Sequence, residues 1–189
     1  MKVAVYPGSF DPIHIGHKAI MEYLCGDGGF DMVYLIVSPQ NPFKDPSKAL
    51  NARRRYEDAC AAVSRHGLLK VKVEDIELGM DPPNYTIRTL EALRSREPGN
   101  IFTLVIGADN LPGLPGWKSF RRLMTGYDIV VYPRPGFDSA GALVALKAYC
   151  REHHLRCRVT LINAPQVDIS STSIRESLAA GRDVSRWLM

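Results

Sequence analysis

At 189 residues, with 46% hydrophobic and 23% charged positions, the chain has the composition of a globular protein with a core of its own. A formal charge of +4 suits anionic small molecules and falls short of a nucleic-acid footprint. No apolar run approaches the ~20 residues of a membrane span. The four cysteines form no Cys-x-x-Cys pair and the chain opens on a strand pattern, so the expectation is a cytoplasmic protein with reduced thiols, one domain over residues 1–189.

Val3 to Tyr6 is a short apolar run, the pattern of a buried parallel strand, stopped by Pro7-Gly8. A helical pattern follows, with Ala19, Ile20, Tyr23 and Leu24 on one face. Met32 to Val37 is a second buried strand, and Ser38 to Ser47, with three prolines, reads as a loop. Ala49 to Ser64 reads as a helix capped by Asn51, and Val71 to Val73 as a strand. Tyr85 to Arg96 follows as a helix with Thr86, Leu90 and Leu93 inward. Ile101 to Ile106 is a buried strand, Trp117 to Met124 a short helix and Asp128 to Tyr132 another strand. Ser139 to His154 is an amphipathic helix, Arg158 to Ile162 a sixth strand, and Ile169 to Ala180 a closing helix with capping-box spacing at Ser173 and Glu176. The basic runs Arg53 to Arg55 and Arg121-Arg122 read as solvated helix faces. Strands alternating with helices predict an α/β fold, a Rossmann-like open parallel sheet with helices on both faces.

Chemistry concentrates at the two ends. Between the first strand and first helix lies Ser9-Phe10-Asp11-Pro12-Ile13-His14-Ile15-Gly16-His17. A helix N-terminus offers free N–H groups and a partial positive charge, so anions bind there. Gly8 lets the backbone approach a ligand, Gly16 lets the first helical turn do so, and His14 and His17 donate to phosphate oxygens, more strongly if protonated. Neither a Gly-x-x-x-x-Gly-Lys-Ser/Thr loop nor a Gly-x-Gly-x-x-Gly fingerprint is present. Near the other end, Ser170 to Ser173 place hydroxyls at a predicted helix start, with Arg175 able to fork onto the same anion. Alone, that is also the pattern of an ordinary Ser/Thr cap.

The run Gly8 to Pro12, with His14-Ile15-Gly16-His17, resembles the signature of the nucleotidyltransferase superfamily. Ile169-Ser170-Ser171-Thr172-Ser173-Ile174-Arg175 resembles its second motif. Ile106 to Leu111, Trp117-Lys118 and Tyr85 to Leu90 are similar to the bacterial nicotinate-nucleotide adenylyltransferases, over nearly the whole chain. The resemblance implies adenylyl transfer from ATP to nicotinate mononucleotide, with Mg²⁺ carried by the phosphates and no metal held by the protein. It implies His14, His17, Lys44 and Arg175 as catalytic groups, and an ATP site of Gly8, Ser9, Phe10, His14, His17, Gly107, Asp109, Ile169, Ser171, Thr172 and Arg175. The mononucleotide would meet Tyr85, Thr86, Asp109, Trp117, Lys118 and Arg134. Trp117 offers a face for a flat ring, or else packs in the core. Tyr85-Thr86 begins a helix whose N–H groups suit a carboxylate. Asp109 suits a ribose hydroxyl, or else caps a helix. Where the family usually has Pro-His-Lys, this chain has Pro42-Phe43-Lys44. The alternatives are a phosphopantetheine adenylyltransferase, a non-catalytic nucleotide sensor on the same fold and, last, a nucleic-acid binder. Neither nucleic acid nor membrane is an expected partner, and a homo-oligomer stays open.

Overall fold

The computed structural model describes residues 1–39 and 52–189. Six strands form its sheet: β1 (Lys2–Gly8), β2 (Met32–Val37), β3 (Val71–Glu74), β4 (Ile101–Gly107), β5 (Asp128–Tyr132) and β6 (Val159–Leu161). Six α-helices accompany them: α1 (Ile15–Cys25), α2 (Ala52–Arg65), α3 (Thr86–Arg96), α4 (Phe120–Gly126), α5 (Ser139–Glu152) and α6 (Ser171–Ala179). The strand order is β3-β2-β1-β4-β5-β6, and each neighbouring pair is parallel.

The layering follows from side-chain alternation along the strands. Val3 and Val5 of β1 face one way, with Tyr34 and Ile36 of β2 and Phe102, Leu104 and Ile106 of β4. They pack on Ile87, Leu90 and Leu93 of α3 and on Phe120, Leu123 and Met124 of α4. Ala4 and Tyr6 face the other way, with Val33, Leu35 and Val37. Those meet Ile20, Met21 and Leu24 of α1 and Ala59, Ala62 and Val63 of α2. Both faces are covered, which is why these strands read as continuous apolar runs.

The predicted open, doubly covered parallel sheet is therefore the observed one. Its connections run outward from β1 through α1 and α2, then return through α3 to β4 on the other side of β1. Where strand order reverses, the loops after β1 and β4 diverge and leave a crevice at the strands' C-terminal ends. That crevice positions everything below.

Several boundaries differ from the pattern reading. The second helix is described from Ala52, and the proposed Asn51 cap lies outside the described residues. The helix expected from Trp117 begins at Phe120, because Ser119 takes a left-handed backbone (φ 58°) and Trp117 ends a short 3₁₀ turn, Leu114–Gly116. In α3 the buried face is Ile87, Thr89, Leu90 and Leu93; Thr86 lies on the first turn and lines the crevice instead. The last helix is capped by Ser170, whose extended backbone (φ −134°, ψ 152°) precedes the first turn. Ser173 answers Ser170 reciprocally, so the capping box is Ser170 with Ser173, one turn earlier than Ser173 with Glu176. All four cysteines are free.

Candidate active site

The crevice is a cavity of about 600 Å³. Gly8 at the end of β1 and Gly107 at the end of β4 form its floor, and His14, His17, Ser171, Thr172 and Arg175 lie along one side. Tyr85, Thr86, Trp117, Lys118 and Arg134 line the rest. A volume of this size accommodates a small-molecule ligand.

The loop after β1 is built around Phe10. Its ring is buried, edge-on to Tyr6 at 5.5 Å and to His17 at 4.9 Å. A Cβ on Gly8 would fall 2.8 Å from Phe10 Cζ, so glycine is required there by the ring beneath it. Phe10 itself adopts φ 45°, an uncommon backbone state for a non-glycine residue. Phe10 thus shapes the loop from below, while Ser9 lines the cavity and its carbonyl is held from behind by Arg55.

The histidines are not the cations that phosphate binding first suggests. His14 caps α1: its Nδ1 accepts the Gly16 N–H at 3.2 Å. His17 Nδ1 accepts the His14 N–H at 3.1 Å, and the rings stack with centroids 3.7 Å apart. An Nδ1 that accepts carries no proton, so each neutral ring has its proton on Nε2. Burial lowers the His14 pKa to about 4, helped by Arg134. Burial, then His14 and Arg134, hold His17 well below the usual imidazole range. The site therefore offers two neutral Nε2–H donors, fixed in tautomer by backbone N–H groups. Gly16 also differs from its expected role: a Cβ there would meet the His14 ring at 3.0 Å and Ile169 Cγ2 at 3.2 Å. It makes room for the imidazole, not for a ligand.

The two ends of the chain meet at this loop. Ser171 Oγ donates to the Pro12 carbonyl at 3.0 Å, across 159 positions of sequence. Arg175 Nη1 donates to the Asp11 carbonyl and Nη2 donates to Thr172 Oγ1 at 3.1 Å. The His14 backbone makes an antiparallel bridge with Leu188. The N–H of Ser173 is taken by Ser170 Oγ, which leaves the amides of Ser171 and Thr172 without an intrahelical partner in the first turn of α6, and both residues line the cavity. Ile169 stands apart, in a small adjoining pocket beside Gly16 and Val167.

On the β4 side, Asp109 lies in the 3₁₀ turn Ala108–Asn110, makes no cap, and pairs with Arg134 Nε at 3.2 Å. The Arg134 guanidinium lies 5.0 Å from the Tyr132 ring centroid. A Cβ on Gly107 would sit 2.3 Å from Asp109 Oδ1 and 2.9 Å from Arg134 Nε, so this glycine makes that ion pair possible. Trp117 serves both readings: it packs on the core and lines the cavity. The Tyr85 N–H is already given to the Pro83 carbonyl, which leaves the Thr86 amide as the donor at the start of α3. Lys44 and Phe43 lie outside the described residues.

Among the wall residues that pattern reading missed, two are charged and buried. Arg55 is 5% exposed and donates to the carbonyls of Ser9, Ser38 and Pro39, whereas Arg53, Arg54, Arg121 and Arg122 are solvated as expected. Glu77 is 3% exposed, accepts from Thr89 Oγ1 at 2.6 Å, and is pushed up in pKa by burial. Neither carries a local signal; each is defined by the loops that close over it. Among the described residues no cluster of three His, Cys, Asp or Glu could hold a metal ion. No helix among them is long and apolar enough to cross a membrane.

The cytidylyltransferase-like family model matches residues 5–177, from β1 into α6, and so includes both loops that meet at the cavity. The chain belongs to the cytidylyltransferase-like family. This family member is 37% identical over 189 residues to a Cytophaga hutchinsonii protein named probable nicotinate-nucleotide adenylyltransferase, covering 100% of this chain and 91% of that one. It is 34% identical over 188 residues to a Flavobacterium johnsoniae protein of the same name, covering 100% and 92%. In solved structures it superimposes on Plasmodium falciparum nicotinic acid mononucleotide adenylyltransferase complexed with NaAD. There the TM-score is 0.81 at 17% identity, covering 99% of this chain and 90% of that one. A second structure of that enzyme, complexed with APC, gives a TM-score of 0.75 at 16% identity, covering 99% and 90%. At such identities the likeness establishes the fold.

Proposed function

We propose that this family member transfers the adenylyl group of ATP to nicotinate mononucleotide, a step of NAD biosynthesis. A phosphate oxygen of the mononucleotide attacks the α-phosphorus of ATP. The bond from the α-phosphorus to its bridging oxygen breaks, pyrophosphate leaves with that electron pair, and deamido-NAD forms. The attacking oxygen is already an anion, so no base is needed, and catalysis reduces to positioning and charge stabilisation.

The observation that carries the reading is the joining of the two chain ends at one cavity, with Arg175 and Ser171 bonded to the loop of His14 and His17. The Nε2–H groups of both histidines would donate to the α-phosphate as charge develops, without the proton loss that a cation would risk. Arg175 and the α6 N-terminus would hold the outer phosphates, with Lys44 as a further cation there. Trp117 would stack on the pyridine ring, with the Thr86 amide on its carboxylate and Lys118 beside it. Asp109 and Arg134, already paired, would take a ribose hydroxyl and a phosphate. Mg²⁺ fits as an ion borne by the phosphates: Asp109 pairs with Arg134, Asp11 lies 3.9 Å from Arg175, and among the described residues no acidic cluster is left to hold it. When bound, it would supply charge neutralisation on the phosphates. Four free thiols suit a cytoplasmic location.

The test is pyrophosphate release from ATP with a panel of acceptors. Nicotinate mononucleotide should be turned over and phosphopantetheine should not. His17→Ala should lower kcat by roughly 10²–10³-fold with an unchanged circular dichroism spectrum. Turnover of phosphopantetheine alone, or of neither acceptor, would overturn the proposal.

A further inference from the structure

Arg55 has no place in the reaction above, yet it is the one Lys or Arg side chain buried among the described residues, at 5% exposure. Its neighbours Arg53 and Arg54 are exposed and pair with Asp75 and Asp58. Arg55 makes no ion pair among the described residues. Instead its Nη1 donates to the carbonyls of Ser9 and Ser38, the latter at 3.0 Å, and its Nη2 donates to that of Pro39 at 3.3 Å. Ser9 leaves the end of β1; Ser38 and Pro39 leave the end of β2. One fork from α2 thus ties together the exits of two adjacent strands, and it also lines the cavity.

Carbonyl oxygens carry partial negative charge and repel a polyphosphate. Three of them are engaged by the buried guanidinium, which offsets that charge at the cavity wall. In a planar trans peptide the C=O and the following N–H point opposite ways. Holding the Ser9 carbonyl therefore also fixes the direction of the Phe10 N–H, which has no acceptor among the described residues. The cation itself adds positive potential to the wall.

We propose that Arg55 is a positioning residue for ATP: by anchoring the carbonyls of Ser9, Ser38 and Pro39 it holds the loop after β1 in the form that receives the phosphates. The role rests on the adenylyl-transfer reading. A lysine cannot substitute, because a single ammonium at the end of a flexible stem cannot span acceptors on two loops.

The experiment compares wild type, R55K and R55A. Wild-type turnover of ATP with nicotinate mononucleotide is measured first. If it is absent the reaction assignment fails, and Arg55 is then judged by ATP binding in calorimetry alone. The expected result is an ATP KM, or Kd, raised about tenfold or more in R55K, with the mononucleotide KM within about twofold. Guanidinium ion at low, non-denaturing concentration should restore part of the R55A activity and none of that of His17→Ala. Should R55A fail to fold, R55K still decides. Wild-type ATP affinity in R55K, or both KM values rising together, would overturn the role.

Discussion

Acid should destabilise this protein through His14. Its pKa is about 4 in the native state against 6.5 for an ordinary imidazole, because the ring is buried and faces Arg134. The unfolded chain therefore takes up a proton at higher pH than the folded one. Stability is unaffected above the higher value, falls as pH drops between the two, and levels off below the lower. A gap of about 2.5 between the two values, at about 1.4 kcal/mol each, gives a loss of about 3 kcal/mol by pH 4 and about 2 kcal/mol by pH 5. His17 acts in the same direction. Urea unfolding of wild type and His14→Asn at about pH 7, 6 and 5 isolates the effect, since Asn retains an acceptor for capping α1. Wild type should lose about 2 kcal/mol more than the variant between the first and last conditions. Parallel pH dependence in the two proteins, or a His14 NMR titration centred near 6.5, would refute the argument. The same assignment predicts that kcat/KM shows no rising limb near pH 6.5 from either histidine.

Arg175→Lys should raise the ATP KM roughly tenfold and lower the midpoint of thermal unfolding, because an ammonium cannot hold the Asp11 carbonyl and Thr172 Oγ1 together. Steady-state kinetics and calorimetry check both. Trp117→Ala should raise the mononucleotide KM by roughly tenfold or more while Trp117→Phe keeps most of the affinity, with the ATP KM little changed in either. Gly16→Ala should cost about 1 kcal/mol in denaturant unfolding despite alanine's better helix propensity. The added Cβ meets the His14 ring at 3.0 Å, and that ring is locked by its Nδ1 bond and its stack on His17, so it cannot yield.

The sheet was legible in the chain because burial on both faces writes itself locally. Runs such as Met32 to Val37 and Ile101 to Ile106 need no knowledge of their partners to be read as strands. Helix starts were harder. The last helix offered Ser170, Ser171, Thr172 and Ser173 as caps, and the extended backbone of Ser170 decided among them. The site residues were largely legible as well, since fifteen of the described positions from Gly8 to Arg175 named for it from motif and family resemblance line one cavity. Ile169 does not, because its side chain sits beside Gly16 in an adjoining pocket.

What the sequence by itself determined was chemistry of short range: which runs are apolar, where glycine permits a turn, which side chains can donate to an anion. Only the tertiary structure decided their electrical state and their partners. Whether His14 and His17 are charged depends on how deeply other elements bury them and on Arg134, brought from the end of β5. Whether Arg55 is a solvated lysine-like charge or a strut depends on carbonyls delivered by β1 and β2, 46 and 17 positions away. Desolvation and hydrogen bonding are properties of neighbours in space, and no local pattern encodes them.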